Sequence, residues 1–397
     1  MRRLRTLAIN LALLAGSVLV TCLLAEVALR VARINTPSTV EFVPGKGLRR
    51  VPGSTYVHTK EGHSSGRFNA HGFRDVERDV KKPAGGYRIE IFGDSFVDAL
   101  QVELPDSFPA RLEKAIAGTG RTGVEVLNLG QSGFGTTDEC LRFQNFGKAF
   151  APDVVVVALF VGNDLRNNSK TLNTESVTYY YVLGADGRLT LDTSLPDAYE
   201  RNRTFVQRAF QSVKRHSYLA SLVSERLYLL RRAKTAKETK SKVETAVPAA
   251  SGTLPPLDDF NLYVDDPPPV WKDAWAVTEA VLLKFRDDVT ASGARFVVMT
   301  IPAAEQIDPE AQSEVEARIG RGLDWDRPDA VLVPFARENG IPILPLATVF
   351  RETYARTRDP LYGFGGHGNH GHWNEKGHAL AATTLLDFLQ REGLLHD

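Results

Sequence analysis

The sequence predicts an α/β fold built on a parallel sheet. Five short apolar runs of strand type recur along the chain, and apolar patterns of helical spacing separate them. The third run, containing Val154-Val155-Val156-Val157, is apolar at every position from Val154 to Phe160. A strand apolar on both faces suits a parallel sheet covered by helices on both sides, and strands alternating with helices are the pattern of such a sheet.

The strands are expected at 87–92, 124–127, 153–160, 295–300 and 341–344. A helix is expected at 108–117. Cys140, Phe143, Gly147 and Phe150 carry helical spacing after the second strand, and Trp271, Trp275, Leu282, Phe285 and Val289 form a stripe before the fourth. The last helix is expected at about 375–390, with Asn374 as its N-cap. The third and fourth strands lie far apart, so 165–270 reads as an insertion. Within it, Asp186-Gly187 between 179–183 and 188–191 signals a hairpin. A basic helical stretch follows at 201–232, then a low-complexity linker at 233–258. The organisation expected is 1–30 as a membrane helix, 31–86 as a stalk and surface-hugging lead-in without periodicity, and 87–164 with 271–397 as the main domain.

The chain of 397 residues is 43% hydrophobic, which suffices for one large domain plus an insertion. Lys+Arg and Asp+Glu are both 48, and this balance gives no sign of a nucleic-acid partner. There are two cysteines, Cys22 and Cys140. Cys22 lies in the N-terminal apolar run, so a disulfide framework and a multi-cysteine zinc site are both excluded.

Arg2, Arg3 and Arg5 precede the apolar run from Leu7 to Leu24. At 1.5 Å per residue this run spans roughly the 30 Å of a hydrocarbon core. It is longer than the apolar region of a cleaved signal peptide and lacks an Ala-x-Ala-like site. Thr21 before Cys22 is a poor fit to a lipobox. The reading is an uncleaved signal anchor with its N-terminus in the cytoplasm and the remainder outside, at the inner membrane of a bacterial-type cell. A cleaved signal peptide is the alternative and places the catalytic part on the same side.

Gly93-Asp94-Ser95-Phe96 closes the first strand, at the sheet edge where open α/β sheets bind ligands. Alone, such a serine reads as a helix cap. Its hydroxyl needs a base to act as a nucleophile, and the histidine-rich stretch near the C-terminus, with His367, His370, His372 and His378, can supply one. Acyl transfer also needs donors for an oxyanion. Asn128-Leu129-Gly130-Gln131-Ser132-Gly133 follows the second strand, and Gly162-Asn163-Asp164 follows the third. The Gly133 N–H and the Asn163 amide can donate there. Each signal is weak by itself; four at consecutive strand ends make coincidence a poor explanation.

These four blocks, GDSF, NLGQSG, GND and HWNEKGH, resemble those of the SGNH (GDSL) hydrolases, over about 87–394 apart from the insertion. The resemblance implies a flavodoxin-like three-layer sandwich with a central five-stranded parallel sheet. It implies Ser95 as nucleophile, His372 as base, and an oxyanion hole of the Ser95 and Gly133 N–H groups with the Asn163 side chain. The family usually carries an aspartate three residues before the base. Here that position is Asn369, the candidate third member. An Asp-to-Asn change in this role costs trypsin about 10⁴ in kcat through the wrong tautomer. A weakened enzyme, a Ser–His dyad and a carboxylate from elsewhere therefore stay open. If Asn369 does orient the base, Asn369→Asp is expected to raise kcat.

Other patterns are weaker. Val97 stands where a G-x-S-x-G elbow needs glycine. Gly363-Phe364-Gly365-Gly366-His367-Gly368 spells G-x-G-x-x-G without a preceding strand or a following helix. The histidines lack nearby acidic or cysteine ligands for zinc. The basic stretch at 201–232 reads as a solvated face, or as one that meets anionic lipid or polysaccharide. The expectation is thus a serine esterase facing the periplasm and acting on an acylated small molecule or polysaccharide, with no cofactor and no metal. Alternatives are an O-acyltransferase or deacetylase on envelope polysaccharide, suggested by the anchor and a resemblance to alginate-type acetylation proteins, and a non-catalytic envelope component that kept the fold, suggested by Asn369.

Overall fold

The computed structural model describes residues 2–32, 37, 39–173, 177–230, 254–365 and 369–395. Most of the expected linker, together with His367 and the end of the G-x-G-x-x-G spelling, lies outside them. The sheet has five parallel strands: β1 (Tyr87–Gly93), β2 (Val124–Asn128), β3 (Val154–Phe160), β4 (Arg295–Ile301) and β5 (Ile343–Pro345). Their spatial order is β5-β4-β3-β1-β2. This is the flavodoxin-like order, and its switch point lies between β1 and β3.

Alternation along the strands sends side chains to two separate cores. Phe92, Leu127, Val155, Val157 and Phe296 face one side, against helices α3 (Thr136–Asn145), α4 (Pro269–Ala291) and α5 (Arg327–Glu338). Ile91, Val126, Val156, Val297 and Met299 face the other, against α2 (Phe108–Gly118), α6 (Ala347–Thr357) and α7 (Glu375–Arg391). The Trp271 stripe lies on α4, with Trp271, Val281, Phe285 and Val289 fully buried. Asn374 caps α7, accepting from the Lys376 and Gly377 N–H groups at 3.0 and 3.2 Å. The helical spacing at 140–150 divides into α3 and a 3₁₀ turn, Gly147–Phe150.

The described part of the lead-in, 39–86, has secondary structure that the sequence did not signal. It contains two antiparallel hairpins, Val40–Val43 with Gly47–Arg50 and Thr55–His58 with Ser64–Arg67, and is packed onto the sheet domain. Phe68, Phe73 and Tyr56 are buried, and so is Arg74. Arg74 donates to the Tyr56 hydroxyl at 2.7 Å and to the carbonyls of Asp98 and Val102 at 3.1 and 2.5 Å. Four-residue strands with half-buried faces leave little periodicity to read, and the segment is held largely by arginine contacts rather than by an apolar stripe.

The insertion opens with the expected hairpin, Tyr180–Leu183 with Leu189–Asp192. The basic stretch is broken into Ser194–Asn202, Phe205–Lys214 and a helical run at 218–230. At the N-terminus, helix α1 (Arg2–Ala32) is exposed from Arg3 to Leu24 and is long and apolar enough to cross a membrane.

Candidate active site

Ser95 opens a single-turn helix, Ser95–Asp98, directly after β1. The turn is held by Asp94, whose carboxylate accepts the Phe96 N–H at 2.9 Å. Phe96 and Val97 point into the core. The turn is therefore anchored from below, and Ser95 remains at the crevice beside the switch point.

The structure brings Ser95 and His372 together across the sheet edge, with Ser95 Oγ 2.8 Å from His372 Nε2. His372 sits between two fixed points. Gly363 N–H donates to its carbonyl at 2.9 Å, and the next residue, Trp373, is fully buried and pairs with Tyr362. Phe96 lies under the imidazole, with ring centroids 5.0 Å apart. A base that accepts at Nε2 must carry its proton on Nδ1, so whatever faces Nδ1 sets the tautomer.

That partner is Glu61, not Asn369. Glu61 Oε2 lies 2.6 Å from His372 Nδ1, and Glu61 Oε1 accepts the His372 backbone N–H at 2.6 Å. The two carboxylate oxygens thus fix the ring relative to its own backbone. Burial opposes ionisation of Glu61, but the hydrogen bonds from His372 and the imidazole charge outweigh it and hold the carboxyl below its usual range. Gly371 makes the approach feasible. Its φ is +71°, and a Cβ there would stand 2.1 Å from Glu61 Oε1.

Asn369 is a correction to the sequence reading. Its side chain is buried and occupied elsewhere. Its oxygen accepts the N–H groups of Leu361 and Tyr362 at 2.9 and 3.3 Å, and its nitrogen donates to Asp308 at 3.2 Å. It shapes the loop that carries His372. The carboxylate it was expected to replace arrives from a hairpin connection 311 residues away in sequence. Nothing local marks Glu61; the only signal was an acidic residue followed by glycine in a stretch without periodicity.

The oxyanion candidates lie on loops bonded to the turn that carries Ser95. Asn163 Nδ2 donates to Asp94 Oδ2 at 3.0 Å. An amide nitrogen has two hydrogens, so one bond orients the group and the second stays available. Gly133 takes φ +84°, and nothing stands within 4 Å of where a Cβ would project. Its loop is tied to the Ser95 turn through Asp98, which accepts the Ser132 N–H and hydroxyl at 3.0 and 2.6 Å and pairs with Arg50 at 2.5 Å. Asn128 completes this frame, donating to the Val97 carbonyl at 2.8 Å and accepting from Gly130 at 3.0 Å. Asp94 is buried and its carboxyl is pushed up by that burial, with the bonds from Phe96 and Asn163 opposing. Ser95 Oγ is 3.3 Å from Asp94 Oδ2, a longer contact than that to His372.

Neither His370 nor His378 joins the site. His378 is buried beside Phe108 and Trp373, and burial lowers its pKa to about 3. His370 is exposed. A cavity of about 490 Å³ opens beside Gly162, the neighbour of Asn163. Phe160, Phe260 and Tyr263 line it together with Asp259 and Glu305. The Tyr263 hydroxyl is buried without a hydrogen-bond partner among the described residues.

No family model matches the chain, and no curated protein matches it. Among solved structures it is similar to an acetyl xylan esterase, AlAXEase, at 13% identity over 76% of this chain and 98% of that one, with a TM-score of 0.38. It is also similar to a catalytic mutant of Axe2, an acetylxylan esterase from Geobacillus stearothermophilus (14%, 77% and 94%, TM-score 0.37). TesA matches at 12% over 77% and 98%, with a TM-score of 0.36.

Proposed function

We propose that the protein is a serine esterase of the SGNH type, working through Ser95, His372 and Glu61. The observation that carries this reading is the unbroken contact from Ser95 Oγ to His372 Nε2 and from His372 Nδ1 to Glu61. Ser95 Oγ attacks the ester carbonyl carbon while its proton passes to His372 Nε2. Glu61 stabilises the imidazolium that forms. The tetrahedral oxyanion is received by the Ser95 and Gly133 N–H groups and the Asn163 amide, donors set in place before the reaction. Collapse breaks the bond to the alcohol, which leaves with the proton from His372. Water then repeats the sequence on the acyl-enzyme and restores Ser95. Every group in this scheme belongs to the chain itself.

The cavity beside Gly162 favours a substrate with a polyhydroxylated group next to the ester, such as an acylated sugar. Aromatic faces and hydroxyl-accepting carboxylates line one space there, and the Tyr263 hydroxyl lacks a partner among the described residues. The deacetylase or O-acyltransferase variant of the reading is thus the one with a structural feature behind it. In the transferase, a sugar hydroxyl replaces water in the second half. With Glu61 in place, Asn369 no longer supports a non-catalytic role.

We further propose that α1 is an uncleaved anchor in an inner membrane, its N-terminal arginines cytoplasmic and the sheet domain periplasmic. The arginines before the apolar run support that orientation. A reporter active only outside the cytoplasm, fused at the C-terminus, should be active; a silent reporter with full expression contradicts the orientation. For the chemistry, hydrolysis of a small chromogenic acetyl ester should disappear in Ser95→Ala. Wild-type turnover by that variant would remove Ser95 from the mechanism.

A further inference from the structure

The inserted helices present an apolar surface that no other described residue covers. On Phe205–Lys214, the side chains of Phe205, Val206, Phe210 and Val213 share one face and are exposed, Phe205 at 85%. On the helical run 218–230, Val223, Leu227 and Leu230 recur at spacings of four and three and are also exposed. Apolar surface of this kind is unfavourable when left in water.

Two observations identify what covers it. The first is continuity with α1. The Glu26 carboxylate, near the end of α1, accepts from the Ser217 hydroxyl at 2.8 Å and from the Tyr218 and Leu219 N–H groups at 3.0 and 2.9 Å. It thereby caps the start of the 218–230 run. Arg30 pairs with Glu26 at 2.7 Å, donates to the His216 carbonyl at 2.5 Å and lies 5.1 Å above the Tyr218 ring. The apolar surface therefore begins where the apolar helix ends. The second observation is charge. Arg208, Lys214 and Arg226 have no carboxylate partner among the described residues, and Glu225 is the one acid between 205 and 230.

We propose that these two helices lie in the membrane interface around the end of α1, with apolar faces in the acyl boundary and cations among anionic headgroups. The inference rests on α1 being a membrane anchor. It has a consequence for the active site. Lys60, the neighbour of Glu61, pairs with Glu225 on the same run. From Tyr218 to Glu225 is roughly 10 Å of helix. The loop that carries Glu61 is thus tied to a helix seated at the bilayer surface, a short helix length from the end of α1, and the active site is held over ester groups presented at that surface.

The test uses the full chain reconstituted in nanodiscs of phosphatidylcholine and phosphatidylglycerol, with or without bromine on the acyl chains. A fluorophore is placed on Cys22, which is exposed on α1, while Cys140 is buried. In a Cys22→Ser background it is placed instead at Phe210→Cys, Leu227→Cys or Val76→Cys, the last exposed on the segment before β1. Brominated lipid should quench the labels at 22, 210 and 227 at least twofold more than the label at 76. If either 210 or 227 behaves like 76 while Cys22 is quenched, the two-helix seat is overturned and the anchor stands. If Cys22 is not quenched, the anchor reading fails and this inference with it.

Discussion

Glu61 takes both the ring Nδ1–H and the backbone N–H of His372, each at 2.6 Å. A carboxylate in this position can only accept, so it leaves His372 Nε2 free to take the Ser95 proton. Glu61→Gln offers an amide nitrogen as well as an oxygen and removes the charge that stabilises the imidazolium. The expected outcome is a fall in kcat of about 10²–10⁴ on a simple acetyl ester, with KM little changed. Steady-state kinetics at neutral pH check it.

Asn369→Asp, which would raise kcat if Asn369 oriented the base, is now expected to do no such thing. The new carboxylate would lose a donor and face Asp308, whose oxygen stands 3.2 Å from the Asn369 nitrogen. Two buried carboxylates in that contact should cost about 1–3 kcal/mol of stability, read as a lower melting temperature. Turnover per folded molecule should stay within a few-fold of wild type.

Gly371→Ala should resemble Glu61→Gln. The positive φ penalises alanine, and the new methyl would collide with Glu61 Oε1 at 2.1 Å. A displaced Glu61 removes the same interaction as its mutation. The double variant should therefore be about as slow as the worse single variant, since residues acting as a unit are not additive. Losses that multiply would place the effect of Gly371 elsewhere.

If Asn163 donates to the oxyanion as proposed, Asn163→Ala should lower kcat by about 10²–10³. The Asp94 bond that orients Asn163 is lost as well, but the Phe96 N–H still holds Asp94. Folding should therefore persist, and circular dichroism with kinetics separates the two effects.

Acid should destabilise the domain through His378. Its folded pKa is lowered to about 3 by burial, against about 6.5 when unfolded. Between those values the unfolded chain binds the extra proton, so stability falls as pH drops from 6.5 toward 3. His378→Leu removes this loss. Its melting temperature relative to wild type should rise steadily as pH is lowered from 7 to 4. A constant difference would mean that His378 does not titrate in that window.

The strands and the strand-end residues were legible because their signals are local. A β-branched apolar run such as Val154–Val157 suits a covered strand, and Ser95, Gly133 and Asn163 each follow the end of a strand. The N-cap of α7 was legible for the same reason. Glu61 was not, because its partner is brought to it by packing. The hairpins that carry it are secured by Arg50 on Asp98 and Arg74 on backbone carbonyls, contacts that leave no periodic trace. Asn369 misled because its spacing from His372 matched a role that its buried environment gives to loop geometry instead.

Labelling by a fluorophosphonate probe, read by peptide mass spectrometry on the purified full chain, decides whether Ser95 is an activated nucleophile. The adduct should map to Ser95, disappear in Ser95→Ala, and form at least tenfold more slowly in Glu61→Gln. A protein that stays unlabelled while folded, or that labels at Ser95 with equal speed in Glu61→Gln, would contradict catalysis by the Ser95–His372–Glu61 arrangement.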